Sequence, residues 1–479
     1  MSLGKQTEDM RPRIARIWIW VLILSQPVLD AVSYWVAELH IGNTLTLGLR
    51  MLVLLCTALI AFVFSDRKKQ YCLLAGILIL FWAAHMLACR RVGYADPVGD
   101  ATNYIRTVQL PVYVLALITL FRVAGDFPKT VENALTADLY LIAAITLASV
   151  LTGTVNPTYP KWGIGVCAWF ALPNSQSAIY GILTLVSVLS AVRTGNTGKA
   201  ILRCALGFAL LFVLGTRLAY AEIFAIAAAV AASMLLTKKT DRRVLAAVLV
   251  LAVACGALYP LSPMSRNRQA YAKSADRQQD AADDTVQQTP PPPEEYDWLP
   301  DAEESIDMLY RQYQPLMVNR FGLERVKEAF DYTDDVQKLG DLRRCKILYC
   351  RLAMEELPLT SRLFGFELST TVHEGGIFDV ENDFHGICFL YGIVGLVLII
   401  GYLGVFVVRT LLRIIREKKA YLTLPVCAFG ASALISVINA YFSASVLRRP
   451  NASVFLSVAL AALWLLTEHS SGNGGDEEA

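Results

Sequence analysis

Residues 44–90 read TLTLGLRMLVLLCTALIAFVFSDRKKQYCLLAGILILFWAAHMLACR, two apolar runs separated by the charged break Ser65–Gln70. Each run is about 20 residues long, and at 1.5 Å per helical residue that spans a hydrocarbon core of about 30 Å. The break carries Asp66, Arg67, Lys68 and Lys69 and can only be a short aqueous loop. Runs of this kind recur about twelve times along the chain, which is the length signature of repeated membrane crossing. They lie near residues 15–36, 44–64, 71–89, 107–124, 136–153, 172–192, 200–216, 218–236, 244–262, 385–408, 420–441 and 450–467. With 55% hydrophobic and 18% charged residues in 479, the composition is outside the soluble range. The expected fold is an all-α polytopic membrane protein.

Orientation follows from the basic residues, because short cytoplasmic loops hold the Lys and Arg excess. Lys5, Arg11, Arg13 and Arg16, then Arg67–Lys69, then Lys238, Lys239, Arg242 and Arg243, then Arg409, Arg413, Arg416, Lys418 and Lys419 all fall on one side if twelve spans are present. The N-terminus and the acidic tail are therefore expected in the cytoplasm. Met1–Arg16 lacks the apolar core of a cleavable signal peptide.

One long polar insert interrupts the pattern at 265–384, between the ninth and tenth spans, and holds roughly 24 of the 41 acidic residues. By the same orientation it is extracytoplasmic. The expected organisation is a membrane domain over 1–264, the insert over 265–384, a second membrane segment over 385–467 and a disordered cytoplasmic tail over 468–479. Within the insert, RQQDAADDTVQQTPPPPEEYD belongs to a Pro-rich flexible linker, 266–300. The rest, 301–384, has periodic apolar positions that predict short helices over 302–313, 316–330 and 341–357, with Leu342, Leu348, Leu352 and Leu357 on or near one face of the last. Such a cap is too small to be an independent enzyme.

The net charge of +2 conceals an acidic insert of about −10, which argues against a nucleic-acid partner. Of ten cysteines, Cys345 and Cys350 are the two in the insert, and five positions apart on a helix they are too distant to bridge, so free thiols are expected. No phosphate-binding glycine loop or dinucleotide fingerprint occurs, no metal site stands out, and the Asp283–Asp284 pair sits in the linker.

Polar residues in and beside the spans collect at the outer edge: Asp30, Arg50, Arg106, Asn174, Arg217, Glu222, Asn439, Arg448 and Arg449, with His40, His85, His373 and His385 at the same level. Taken singly, several also suit a plainer role as structural pairs, Asp30 with Arg50 for instance, or as snorkelling side chains. As a set they predict an arginine-rich polar cavity opening outward, since ionisable groups in spans are costly and mark functional sites. Guanidinium forks bind phosphate bidentately, so the matching ligand carries phosphate at the membrane surface and a polar body above it. A lipid-linked sugar pyrophosphate has that shape.

Four stretches resemble the O-antigen ligase and Wzy-type polysaccharide polymerase superfamily of integral membrane glycosyltransferases, which resemble the GT-C class. They are PNSQSA at Pro173–Ala178, LLFVLGTRLAYAEIFA at Leu210–Ala225, DLRRCKILYCRLAMEELPLTSRLFGFE at Asp341–Glu367 and VENDFHGICFLYGIVG at Val380–Gly395. Their order extends over most of the chain. The resemblance implies transfer or polymerisation of glycan from a polyprenyl-pyrophosphate donor onto an acceptor hydroxyl of a glycan, lipid or cell-wall component, at the outer face of the bacterial cytoplasmic membrane. It places Arg217 on the family's pyrophosphate-binding arginine, with Arg343 or Arg344 from the cap and Arg50, Arg448 and Arg449 as further phosphate contacts. Where the ligases usually have His-Asn this chain has Glu381-Asn382, so Glu381, His373 or His385 is the expected base. Asn174, Glu222, Asn382 and Asp383 are expected around the pocket, and Glu381 and Asp383 also suit a helix start as caps. The resemblance implies a metal-independent transfer with no cofactor, needing neither nucleotide nor metal, because the lipid pyrophosphate is already activated. The glycine spacing Gly392, Gly395, Gly401 and Gly404 fits close helix packing.

The competing class is a twelve-span transporter or flippase for a lipid-linked or anionic substrate. Such folds show repeated halves with helices broken at the midplane, and no repeat relates 1–240 to 241–479. A receptor that only binds glycan lipid would fit the same cavity and would need no base.

Overall fold

A computed structural model describes residues 3–41, 44–273, 302–443 and 446–468. The expected linker, apart from its first residues, and the tail beyond residue 468 lie outside the described residues. The fold is all-α. Helices α1 (Leu3–Glu38), α2 (Thr44–Phe64), α3 (Lys68–Arg90), α4 (Pro97–Ala124), α5 (Phe127–Leu151), α6 (Pro173–Arg193), α7 (Thr197–Leu214), α8 (Arg217–Leu236) and α9 (Arg242–Ala257) precede the insert. The chain is helical again over 263–273 (α10). The insert carries α11 (Ala302–Tyr313), α12 (Pro315–Phe321), α13 (Leu323–Ala329), α14 (Val336–Leu339), α15 (Leu342–Glu356) and α16 (Leu359–Phe364), and the chain ends with α17 (Asp383–Arg416), α18 (Lys418–Tyr421), α19 (Leu424–Phe442) and α20 (Pro450–Leu466).

Ten of these helices are long and apolar enough to cross a membrane. The two remaining predicted spans are shorter. The run at 244–262 stops as a helix at Ala257, where Pro260 turns the backbone into a 3-10 turn at Tyr259–Leu261, and the last span is the 17-residue α20. The chain is a multi-pass membrane protein.

It divides into two compact units. The first comprises Met1–Ile77, Arg106–Asn267 and Gly401–Ala479. At its centre is α6, buried on all sides from Ser175 to Ala191. Glycines on α6 and α7 make that possible: a Cβ on Gly207 of α7 would lie 2.0 Å from Thr184 Oγ1, and one on Gly181 of α6 would lie 2.8 Å from Glu222 Oε2, so helix backbones approach closely here. The α7–α8 connection is two residues. Gly215 ends α7 in the left-handed region at φ 63°, and the Thr216 hydroxyl caps α8 by accepting from Ala219 N at 3.0 Å.

The second unit comprises Leu78–Ile105 and Arg268–Ile400. Its core is aromatic, with Tyr310, Phe321, Phe330, Tyr349 and Phe366 all buried and Tyr349 stacked on Phe378 at a centroid distance of 3.9 Å. The predicted helix over 316–330 is two helices, because Gly322 at φ 84° turns the chain between α12 and α13. On α15 Leu348 and Leu352 enter the core as expected, whereas Leu342 is 72% exposed. A short antiparallel hairpin pairs Val372 with Ile377 and His373 with Gly376. The ten cysteines are free thiols.

Candidate anion site

In the first unit, two helices begin side by side without side-chain caps. α6 opens with Pro173 after Leu172, and α20 opens with Pro450 after Arg449. Proline suits the first helical position because its missing N–H would have had no intrahelical partner anyway. The N–H groups that follow carry the positive end of each helix dipole and constitute an anion-binding element. A pocket of about 300 Å³ lies here, lined by Asp30, Arg50, Arg106, Leu172, Gln176, Arg449 and Asn451 among others.

Asp30 organises the pocket. One of its oxygens accepts from Arg50 Nη2, and the other accepts from Gln176 Nε2 and Asn451 Nδ2, each at 2.8 Å. The carboxylate thus ties α1 to α2, α6 and α20. Its hydrogen-bonding capacity is largely used, and its charge pairs with Arg50. Arg50 Nη1 is buried with no hydrogen-bond partner among the described residues. A buried, unmet guanidinium donor is costly, and an anionic oxygen in the pocket would satisfy it. Three arginines, one carboxylate and two helix N-termini make a site for a compact anion with several oxygens.

Of the residues expected to bind phosphate, Arg50 and Arg449 line this pocket. Arg448 is buried, and the pocket lining does not include it. Arg217 is exposed at the first position of α8, and its guanidinium has no polar partner among the described residues. Asn174 is the second residue of α6 and is half-buried. Glu222 is elsewhere in the interior: it accepts from Asn439 Nδ2 at 2.6 Å, while Asn439 Oδ1 accepts from Ser177 Oγ at 3.3 Å.

The second unit gathers Glu381 with two cations. Its carboxylate accepts from Lys346 Nζ at 2.7 Å and from Arg343 Nε at 3.2 Å. Burial pushes this carboxyl up, and the bonds and charges of Lys346 and Arg343 outweigh that, leaving it below the ordinary carboxylate value. Arg344 turns away to Asp331 at 3.3 Å. Asn382 caps α17, its Oδ1 accepting from His385 N at 3.0 Å, and Asp383 is fully buried in the first turn. His385 is exposed, and His373 lies in the hairpin with Nε2 3.7 Å from Glu374 Oε1.

Gln176 and Asn451 were not singled out as site residues in the sequence. Gln176 lies within PNSQSA and Asn451 follows Arg448, Arg449 and Pro450, and what marks their amides is the Asp30 carboxylate between them.

An all-α multi-pass membrane protein with an arginine-lined pocket at its helix N-termini is the class these features define. The family model for O-antigen ligase like membrane proteins matches residues 14–469, and the chain belongs to that family. Membership implies a membrane glycan-processing transferase acting on lipid-linked glycans. No curated protein matches the chain.

Proposed function

We propose that this protein transfers or polymerises oligosaccharide from a polyprenyl-pyrophosphate donor onto an acceptor hydroxyl, at the outer face of a bacterial cytoplasmic membrane. The observation that carries this reading is the Arg50 donor left unmet in a pocket that also holds Arg106 and Arg449 and the starts of α6 and α20. In the reaction an acceptor oxygen attacks the anomeric carbon, the bond from that carbon to the pyrophosphate breaks, and negative charge grows on the leaving phosphate. Guanidinium groups and helix dipoles fixed in advance lower the energy of that charge most. Arg50 and Arg449 are assigned this role, and Arg217, exposed and without a polar partner, is assigned a further contact with the donor.

Glu381, His373 and His385 remain the candidates for taking the acceptor proton. Ion pairing keeps Glu381 ionised, which a base requires, and also lowers its basicity, so Arg343 and Lys346 limit how strongly it can pull a proton. The two cytoplasmic termini and the extracytoplasmic insert follow the distribution of Lys and Arg.

The test is incubation of detergent-purified protein with a polyprenyl-pyrophosphate oligosaccharide, without added nucleotide, following free polyprenyl pyrophosphate and glycan size. Release with a lengthening glycan is expected of a polymerase, and release only with a separate acceptor is expected of a ligase. No release with any acceptor, together with movement of the lipid across liposomes, would overturn the proposal in favour of transport.

A further inference from the structure

We infer that His85, Cys89 and Asp100, in the second unit, form a binding site for one divalent transition metal of borderline softness, with zinc(II) as the type. The three side chains come from the last two turns of α3 and the first turn of α4, and all are buried. One donor atom from each lies within 4.8 Å of the others. His85 Nε2 is 3.0 Å from Asp100 Oδ2 and 3.5 Å from Cys89 Sγ. Tetrahedral zinc with bonds of about 2.0–2.3 Å holds a nitrogen and an oxygen about 3.3 Å apart and a nitrogen and a sulfur about 3.6 Å apart. The observed spacings are close to both.

The hydrogen bonds around the triad point the same way. His85 Nδ1 faces the Phe364 carbonyl oxygen at 2.6 Å. A carbonyl can only accept, so Nδ1 carries the hydrogen. In the neutral ring this leaves a lone pair on Nε2, aimed at a carboxylate oxygen and a sulfur. Three electron-pair donors converging in a dry interior are satisfied by a shared proton or by a metal ion bound between them. Metal-bound histidines characteristically donate their other N–H to a backbone carbonyl or carboxylate, which fixes the tautomer and the ring plane. Asp100 has an equivalent support, because Tyr94 Oη donates to its Oδ2 at 2.8 Å.

Histidine and cysteine four positions apart on a helix share one face, so α3 supplies two ligands from one turn and α4 supplies the third. A proton on Nε2 would also serve as the cation, giving a buried imidazolium beside the Asp100 carboxylate. It would give Cys89 no role, whereas a metal uses the sulfur as thiolate and releases its proton on binding. Complete burial makes the site structural: the ion would join the end of α3 to the start of α4 and, through His85 Nδ1–H, hold the Leu363–Gly365 turn.

The experiment uses untagged full-length protein in detergent, stripped with chelator and titrated with cobalt(II), followed by displacement with zinc(II). We expect one cobalt per chain and a near-ultraviolet thiolate-to-cobalt charge-transfer band, which zinc removes. Cys89→Ser should lose the band. His85→Gln should bind at least about a hundredfold more weakly, since changes one shell further out already cost about 10–100-fold. Absence of cobalt and zinc uptake by wild-type protein, or the same band in Cys89→Ser, would overturn the inference. Nitrogen-15 spectra of the wild type showing both His85 nitrogens protonated in the presence of zinc would overturn it in favour of the imidazolium, without reliance on any variant.

Discussion

Gly365 and Gly392 pack backbone against backbone. A Cβ on Gly365 would lie 2.1 Å from the Leu390 carbonyl oxygen, and one on Gly392 would lie 2.2 Å from the Leu363 carbonyl oxygen. Both have positive φ, 85° and 67°, and Gly392 interrupts α17 with a non-helical conformation. The turn that closes α16 therefore seats directly in the break of α17, and Phe366 N donates to Phe389 O at 3.3 Å beside it.

Gly365→Ala and Gly392→Ala should each destabilise the protein by more than about 2 kcal/mol, because positive φ alone costs an L-residue roughly 1–2 kcal/mol and the added carbon also meets backbone. Gly401 provides the contrast: it lies in the helical part of α17, and its Cβ would meet nothing within 4 Å. Gly401→Ala should be neutral or stabilising by up to about 1 kcal/mol. Thermal unfolding in detergent measures all three, and equal losses at 392 and 401 would refute the argument.

That break shows where the sequence stopped being informative. The spans were legible because a run of apolar residues has few alternatives to a membrane helix. The spacing of the α17 glycines fits a packing stripe. Periodicity cannot distinguish a glycine needed for helix contact from one needed for positive φ, and here Gly392 is of the second kind. The anion pocket was half legible. Arg50 and Arg449 are charges in apolar surroundings, and Asp30 does pair with Arg50, but in the sequence Gln176 and Asn451 are ordinary amides. His85 and Cys89 stand four apart on α3, but nothing in the sequence joins them to Asp100, which lies beyond a loop whose path the sequence does not specify.

Arg50→Lys separates the charge of the pocket from its geometry. Lysine keeps the charge but cannot serve Asp30 and a phosphoryl oxygen with two forked nitrogens. Release of polyprenyl pyrophosphate should fall at least about tenfold, the effect of about 1.4 kcal/mol on the barrier, with little change in melting temperature. Arg217→Ala should also lower release while leaving the fold intact. Full activity in both variants would remove the arginines from the mechanism.

Glu381 should make stability depend on pH in one direction. Its folded pKa is depressed below the ordinary 4.5, so its contribution is complete above that value and disappears as pH falls through the lower folded value. With the carboxylate side chain 43% exposed, solvent screening keeps the effect small, about 0.2–1 kcal/mol. Wild type should melt slightly above Glu381→Gln at pH 6, and the gap should close in more acidic solution. A gap that widens on acidification would contradict the pairing with Lys346 and Arg343.

Glu222 and Asn439 give the test of structure against function within the first unit. Glu222 is buried, takes one hydrogen bond from Asn439 Nδ2, and has Oε2 without a partner among the described residues. Replacing Asn439 by leucine removes that donor from a buried carboxyl, at a cost of about 1–3 kcal/mol. Glu222→Gln retains the shape without a possible charge, and its amide can still accept from Asn439 through the remaining oxygen. It should be neutral or stabilising. Neither residue lines the arginine pocket, so Glu222→Gln should release polyprenyl pyrophosphate at the wild-type rate. A large loss of transfer in a Glu222→Gln protein that melts normally would mean that this carboxyl belongs to the reacting site and that the pocket extends into the helix interior.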